Sequence, residues 1–334
     1  MSGTSGIVAA SRARPTDTLA SWARRNTWTV GLVGLLVAAL ALTRLIQPTY
    51  GAAGVQGLAI SMLPLAFAAV AQAIVVISGG IDLSVGSMMA LTSVTSAVLM
   101  NGQGEAFAVV AVLVVLAMGL VLGMINGSLV VLTRVPDIVV TLAMSFVWAG
   151  AALLVLPTPG GGAARWLMGL ITGYLGSEWL PRALVVLVVV VGVTWTPLRR
   201  SRLGLSLYAI GSNQLAAFRS GVSVGRTKVI AYALTGFFAA LGGLALTAST
   251  GIGSPVPGYY TLQSVAAVVL GGVSLAGGRG GIVGPIIAVA VLSLIRTILT
   301  FLGVNPNLST ALQGVILIGV VMFGSLIAMR KVRR

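Results

Sequence analysis

Ten apolar stretches, most of them close to twenty residues long, dominate this chain and leave it no ordinary water-soluble way to fold. They run near 28–46, 57–78, 83–100, 106–132, 137–156, 183–197, 229–249, 261–276, 282–302 and 309–328. A helix rises about 1.5 Å per residue, so about 20 apolar residues cross the roughly 30 Å of hydrocarbon in a bilayer. Only 7% of the 334 residues are charged, against about a quarter in a soluble domain. The chain is therefore expected to form an all-α, polytopic membrane helix bundle of about ten transmembrane helices. Its 44 glycines are about twice the usual share, and in a membrane they favour close helix packing.

The basic residues give the bundle a direction. With the N-terminus in the cytoplasm, Arg12, Arg14, Arg24, Arg25, Arg134, Arg199, Arg200, Arg202, Arg219, Arg226, Lys228, Arg279, Arg330, Lys331, Arg333 and Arg334 all fall inside. Arg44, Arg165 and Arg182 fall outside, and Arg296 lies within a span. Positive residues collect in cytoplasmic loops, so both termini are expected there. The net charge of +15 is then read as membrane sidedness rather than affinity for nucleic acid. Residues 1–27 are expected to be a cytoplasmic tail, 28–328 a single transmembrane domain, and 329–334 a basic cytoplasmic tail. Ala39-Leu40-Ala41 offers a cleavage site in a basic-flanked first span, but removing that span would move the N-terminus outside, so an uncleaved helix is expected.

Histidine and cysteine are both absent, which removes disulfides, zinc sites and Cys- or His-based nucleophile systems. Lys228 and Lys331 are the only lysines. Gly277–Gly281 lacks the Gly-Lys-Ser or Gly-Lys-Thr ending of a phosphate-binding loop. No catalytic residue, metal or cofactor is expected in this chain, and any ATP must be handled by another polypeptide.

Two irregular segments stand out. Ser78-Gly79-Gly80-Ile81-Asp82-Leu83-Ser84-Val85-Gly86-Ser87 interrupts the second and third spans. Asp82 either caps the next helix with help from Ser84, or belongs to a broken helix beside a translocation path. An unpaired aspartate at membrane depth costs about 3 kcal/mol, so it must be hydrated, capped or paired. A similar pattern, an apolar helix and then a Gly-Gly break, returns over Ala266–Gly281, which hints at internal duplication. Gly119, Gly123 and Gly127 mark one face of the fourth span for close packing. Asn126 is expected at a helix crossing or a hydrophilic path, and Arg296 must snorkel, pair or face water. The longest connections are 158–182 outside, a partner contact or a cap on the bundle, and 198–228 inside.

Several ordered motifs resemble the permease family of ATP-binding-cassette importers for ribose, xylose and related monosaccharides. They are Gly80–Ser87, Arg202-Leu203-Gly204 with Tyr208–Asn213, Ser220-Gly221-Val222, and Ala266–Gly280. The resemblance runs from about 57 to 328. It implies two cytoplasmic ATPase subunits, a periplasmic or lipoprotein sugar-binding protein, and a second permease subunit, identical or not. It also implies a coupling helix in 198–228 that docks on the ATPase, with Asn213, Gln214, Ala216, Ala217, Ser220 and Gly221 carrying the signal. Gln214 stands where the family commonly has Glu, and Thr261 and Gln263 where it has acidic residues.

A neutral sugar calls for hydroxyl, amide and aromatic lining rather than ion pairs. Gln72, Ser87, Ser145 and Gln263, with Asp82 and Ser84, are the expected pathway and gating residues. The main rival is an ion-coupled secondary transporter using Asp82. An intramembrane enzyme lacks a carboxylate pair in the membrane, and a scaffold would not need the Gly-Gly breaks.

Overall fold

The computed structural model describes residues 27–256, 258–305, 308, 309, 311–315, 319 and 322. Nine of the ten apolar stretches coincide with helices: α1 (Thr27–Ile46), α2 (Ala52–Ile77), α3 (Val85–Met100), α4 (Phe107–Thr133), α5 (Asp137–Val155), α7 (Arg182–Arg200), α10 (Val224–Thr250), α11 (Tyr260–Leu270) and α12 (Val283–Phe301). Most of the tenth stretch and both expected tails lie outside the described residues. Seven of the nine, all but α3 and α11, are long and apolar enough to cross a membrane. Helix α3 has 16 residues and α11 has 11, because glycine breaks and irregular chain take up part of their depth.

The long connections hold the rest of the order. Between α5 and α7 lie a short α6 (Arg165–Ile171) and an antiparallel hairpin of β1 (Tyr174–Leu175) and β2 (Ser177–Pro181). This hairpin is the departure from an all-α chain among the described residues. Glu105 accepts hydrogen bonds from the amides of Arg165 and Trp166 at 3.2 and 3.3 Å, so the segment caps the bundle. Between α7 and α10 lie α8 (Arg202–Ser212) and α9 (Gln214–Arg219).

Helix α2 forms the centre, and it is buried almost throughout despite Pro64 in its interior. It packs against α10, α11, α12 and α7. The tightest pairing is α4 with α10, where the expected glycine stripe meets its match. A Cβ on Gly119 would overlap the Gly236 carbonyl at 2.5 Å, and one on Gly123 would overlap the Tyr232 carbonyl. Without side chains at these points the two backbones touch, the geometry small residues permit between membrane helices.

Contacts between connecting segments sort them onto two faces. The breaks after α2 and α11 meet the end of α8 on one face. On the other, Gly160 pairs with Gly253, and the Tyr50 and Phe301 rings pack edge to face with centroids 6.0 Å apart. The first is the basic face of the bundle, carrying Arg134, Arg199, Arg200, Arg202, Arg219, Arg226, Lys228 and Arg279.

Candidate functional site

The two Gly-Gly breaks are the same local structure. After α2, the Gly79 amide donates to the Val76 carbonyl and the Gly80 amide to the Val75 carbonyl. After α11, the Gly272 amide donates to Val269 and the Val273 amide to Val268. Gly79 and Gly272 take φ of +83° and +78°. Both are therefore helix stops of the left-handed glycine type, and only glycine takes that backbone cheaply.

Beyond the two stops the chain takes different courses. After the first, the Asp82 carboxylate is fully buried and its Oδ1 accepts from the Ser84 amide at 2.8 Å and the Ser84 hydroxyl at 2.7 Å. Asn126 Nδ2 donates to Ser84 Oγ at 2.7 Å, and the Asn126 carbonyl oxygen accepts from Trp148 Nε1 at 3.1 Å. This chain of polar groups ties α3, α4 and α5 together, which places Asn126 at a helix crossing. Asp82 orders Ser84 rather than capping α3 itself. The Gly86 amide, an orphan donor at the helix start, instead donates to Thr261 Oγ1 at 3.0 Å. Helices α3 and α11 thus both begin inside the bundle, as broken membrane helices do.

The second break folds back over the first. The Gly278 amide donates to the Ile77 carbonyl at 2.9 Å, and a Cβ on Gly277 would lie 2.9 Å from Gly79 Cα. Gly211, at the end of α8, sits in the same knot: a side chain there would strike the Ile77 carbonyl and, at 2.5 Å, the Gly278 amide. Tyr208 adds a bond from its hydroxyl to the Gly280 carbonyl at 2.8 Å. Burial pushes the Tyr208 phenol up, against the pull of nearby Arg199, so it stays protonated as that donor.

Directly after the knot comes α9. Asn213 caps it, accepting from the Ala216 amide at 2.9 Å, and Gly221 ends it at φ +85°. Of the residues expected to couple, Asn213, Ser220 and Gly221 are these caps, Gln214 and Ala216 are exposed, and Ala217 is the buried anchor. Leu215 and Phe218 are 58% and 67% exposed. Sequence reading missed both, although two bare apolar side chains in a basic loop were a signal. Lys228, just beyond, pairs with Asp137 at 3.4 Å, and Tyr232 donates to the same carboxylate at 3.0 Å. That carboxylate lies where a Cβ on Gly80 would be, so it too touches the first break.

Toward the opposite face, α2, α11 and α12, together with Gln313 and Gly314, line a half-open cavity of about 570 Å³. Ser61, Tyr259, Tyr260, Gln263, Arg296 and Thr297 are among the residues lining it. The approach to α11 over 251–256, 258 and 259 is irregular chain. Backbone of that kind persists at membrane depth only when packed in protein or lining a wet cavity.

The expected pathway residues therefore separate. Gln263 lines the cavity. Gln72, Asp82, Ser84 and Ser87 are buried, and Ser145 is half-buried on α5 with its hydroxyl bonded to the Leu142 carbonyl at 2.6 Å. The Gln72 amide and Asp82 Oδ2 have no hydrogen-bond partner among the described residues.

Residues 54–321 match the family described as the branched-chain amino acid transport system / permease component. The chain belongs to this permease family. Among curated relatives, this permease is 34% identical over 257 residues to the ribose import permease protein RbsC of Escherichia coli (strain K12), covering 76% of this chain and 79% of that one. It is 32% identical over 254 residues to the autoinducer 2 import system permease protein LsrD of Escherichia coli O9:H4 (strain HS), covering 74% and 76%. No solved structure matches it. The family description and the relatives' names point to different cargoes, so family membership fixes the permease role and leaves the cargo to the site. With seven helices of spanning length among the described residues, this permease is a multi-pass inner-membrane protein.

Proposed function

We propose that this permease is the membrane subunit of an ATP-binding-cassette importer that moves a monosaccharide of ribose or xylose type by alternating access. Separate ATPase subunits bind and hydrolyse the ATP on the basic, cytoplasmic face. A periplasmic or lipoprotein sugar-binding protein delivers the cargo, and a second permease subunit completes the transporter. The chain itself performs no catalysis and needs no metal or cofactor.

The observation that carries this reading is the joint between α9 and the two breaks. A doubly capped helix of six residues presents Leu215 and Phe218 outward, with Ala217 anchored inward. One residue before its cap, Ser212 abuts Gly278, and Gly211 lies against the stop of α2 and the Gly277-Gly278 turn that follows α11. Movement of α9 by a docked ATPase is thereby passed by direct backbone contact to the end of α2 and, through the turn at Gly277-Gly278, to α11, two walls of the cavity. Interfaces packed this tightly switch between discrete arrangements rather than deform smoothly. The relatives' names support a small, oxygen-rich cargo, and the hydroxyl, amide and phenol lining of the cavity suits one.

The ion-coupled alternative rests on one observation, the unpartnered Asp82 Oδ2. Its sealed position weighs against a carboxylate that must meet both sides of the membrane in turn.

Reconstitution separates the two. Liposomes holding this permease, its co-purifying ATPase and a loaded binding protein are expected to take up sugar only with ATP. Replacing Leu215 and Phe218 together by Ser is expected to abolish uptake and release the ATPase. Uptake by the permease alone down a proton or sodium gradient, lost in Asp82→Asn, would overturn the proposal.

A further inference from the structure

The cavity lined by α2, α11 and α12 holds a positive charge that a monosaccharide without an ionised group does not explain. Arg296 lies 13 positions after Val283 and five before Phe301, the two ends of α12, about 8 Å along the axis from the outer end. Its side chain is exposed where it opens into the cavity, and it forms no ion pair among the described residues.

The chain has little with which to neutralise it. Five acidic residues exist in the whole sequence. Asp82 is sealed with Ser84, Asp137 is engaged by Lys228 and Tyr232, and Glu105 holds the start of α6. Glu178 sits on the exposed hairpin strand, and Asp17 falls in the N-terminal segment outside the described residues. Charged side chains inside membrane proteins are costly, so they are matched, hydrated or in use. The neighbours of Arg296 are suited to use. Ser293 and Thr297 flank it on α12, while Tyr260 and Gln263 of α11, and Tyr259 just before it, face the same space. A guanidinium presents a planar fork to a carboxylate or phosphate, and hydroxyls and amides around it suit a polyol.

We infer that this cavity is a binding site for a small polyhydroxylated molecule bearing an anionic oxygen group, with Arg296 as the residue that selects the charge. As cargo, that molecule is a sugar acid or sugar phosphate, an identity that rests on the proposed transport function. The same chemistry is offered by the phosphate and glycerol of an anionic lipid headgroup.

The test uses the full chain in nanodiscs of phosphatidylcholine, without ATPase or binding protein, so its outcome is independent of coupled transport. Binding of ribose, ribonate and ribose 5-phosphate is measured by calorimetry. At least one anionic probe is expected to bind tenfold or more tightly than ribose, as a charge-assisted pair implies. Arg296→Gln is expected to remove that preference, and Arg296→Lys, which keeps the charge without the planar fork, to keep only part of it, with thermal stability unchanged in both. Displacement of the anionic probe by phosphatidylglycerol built into the disc assigns the site to a lipid headgroup. Failure of the lipid to displace it assigns the site to a free solute. Equal binding of ribose and its anionic forms, no binding of any probe, or anion binding that survives in Arg296→Gln would each overturn the inference.

Discussion

Two polar regions inside this bundle behave in opposite ways. Around Asp82 the polar groups are sealed away and, Oδ2 apart, bonded to one another: Ser84, Asn126 and Trp148 close a chain of hydrogen bonds that ties three helices. Around Arg296 they are left facing space, between an irregular approach segment and two helices. Polarity at membrane depth therefore does not by itself mark a path. In the first region it positions backbone, and in the second it is available to a solute.

Substitutions can break or sharpen that contrast, and the largest effect is expected at the knot of the two breaks, next to the sealed region. Gly211→Val drives a side chain into the Ile77 carbonyl and the Gly278 amide. Backbone cannot yield as a flexible side chain does, so a loss of about 3 kcal/mol or failure to assemble is expected, seen in thermal unfolding and size-exclusion chromatography. Gly57→Ala, with nothing within 4 Å of its new Cβ, is the matched control and should be neutral.

Next comes Asp82→Ala, which strands the Ser84 amide and hydroxyl in a buried site. A loss of about 2 kcal/mol is expected, with Asp82→Asn recovering part of it because the amide oxygen still accepts. Lys228→Met should cost less, about 1 kcal/mol, since its Asp137 partner keeps the Tyr232 bond and the pair is only partly buried. Smallest in stability are Gln263→Ala and Thr297→Val in the cavity wall, within about 0.5 kcal/mol of the parent. Yet these two should slow ATP-driven sugar uptake several-fold. A cavity variant that unfolds the protein, or an Asp82 variant that is stable but transport-dead, would erase the distinction.

Much of the bundle could be read from sequence because the bilayer leaves few choices. Nine apolar stretches became helices, and the Gly119, Gly123 and Gly127 stripe met α10 as its spacing required. The two Gly-Gly motifs were visible as a resemblance, and both proved to be the same helix stop. Their meeting was not visible, since Gly79, Gly211 and Gly277 are far apart in the chain and nothing local encodes the contact. The short length of α11 was hidden for a similar reason: the apolar run continues past Leu270, while Gly271 and Gly272 end the helix. Pathway residues were the least legible. Gln72 and Ser87 look as available as Gln263 in a string of letters, and only packing separates the buried from the open.

The natural absence of cysteine gives the most direct test of that separation. Single cysteines at 72, 87, 263 and 297 would be challenged from outside with a membrane-impermeant maleimide in intact cells. Rapid labelling at 263 and 297, with 72 and 87 protected, is the predicted result. Labelling at 72 and 87 with protection at 263 and 297 would place the path through the Asp82 region and contradict the account.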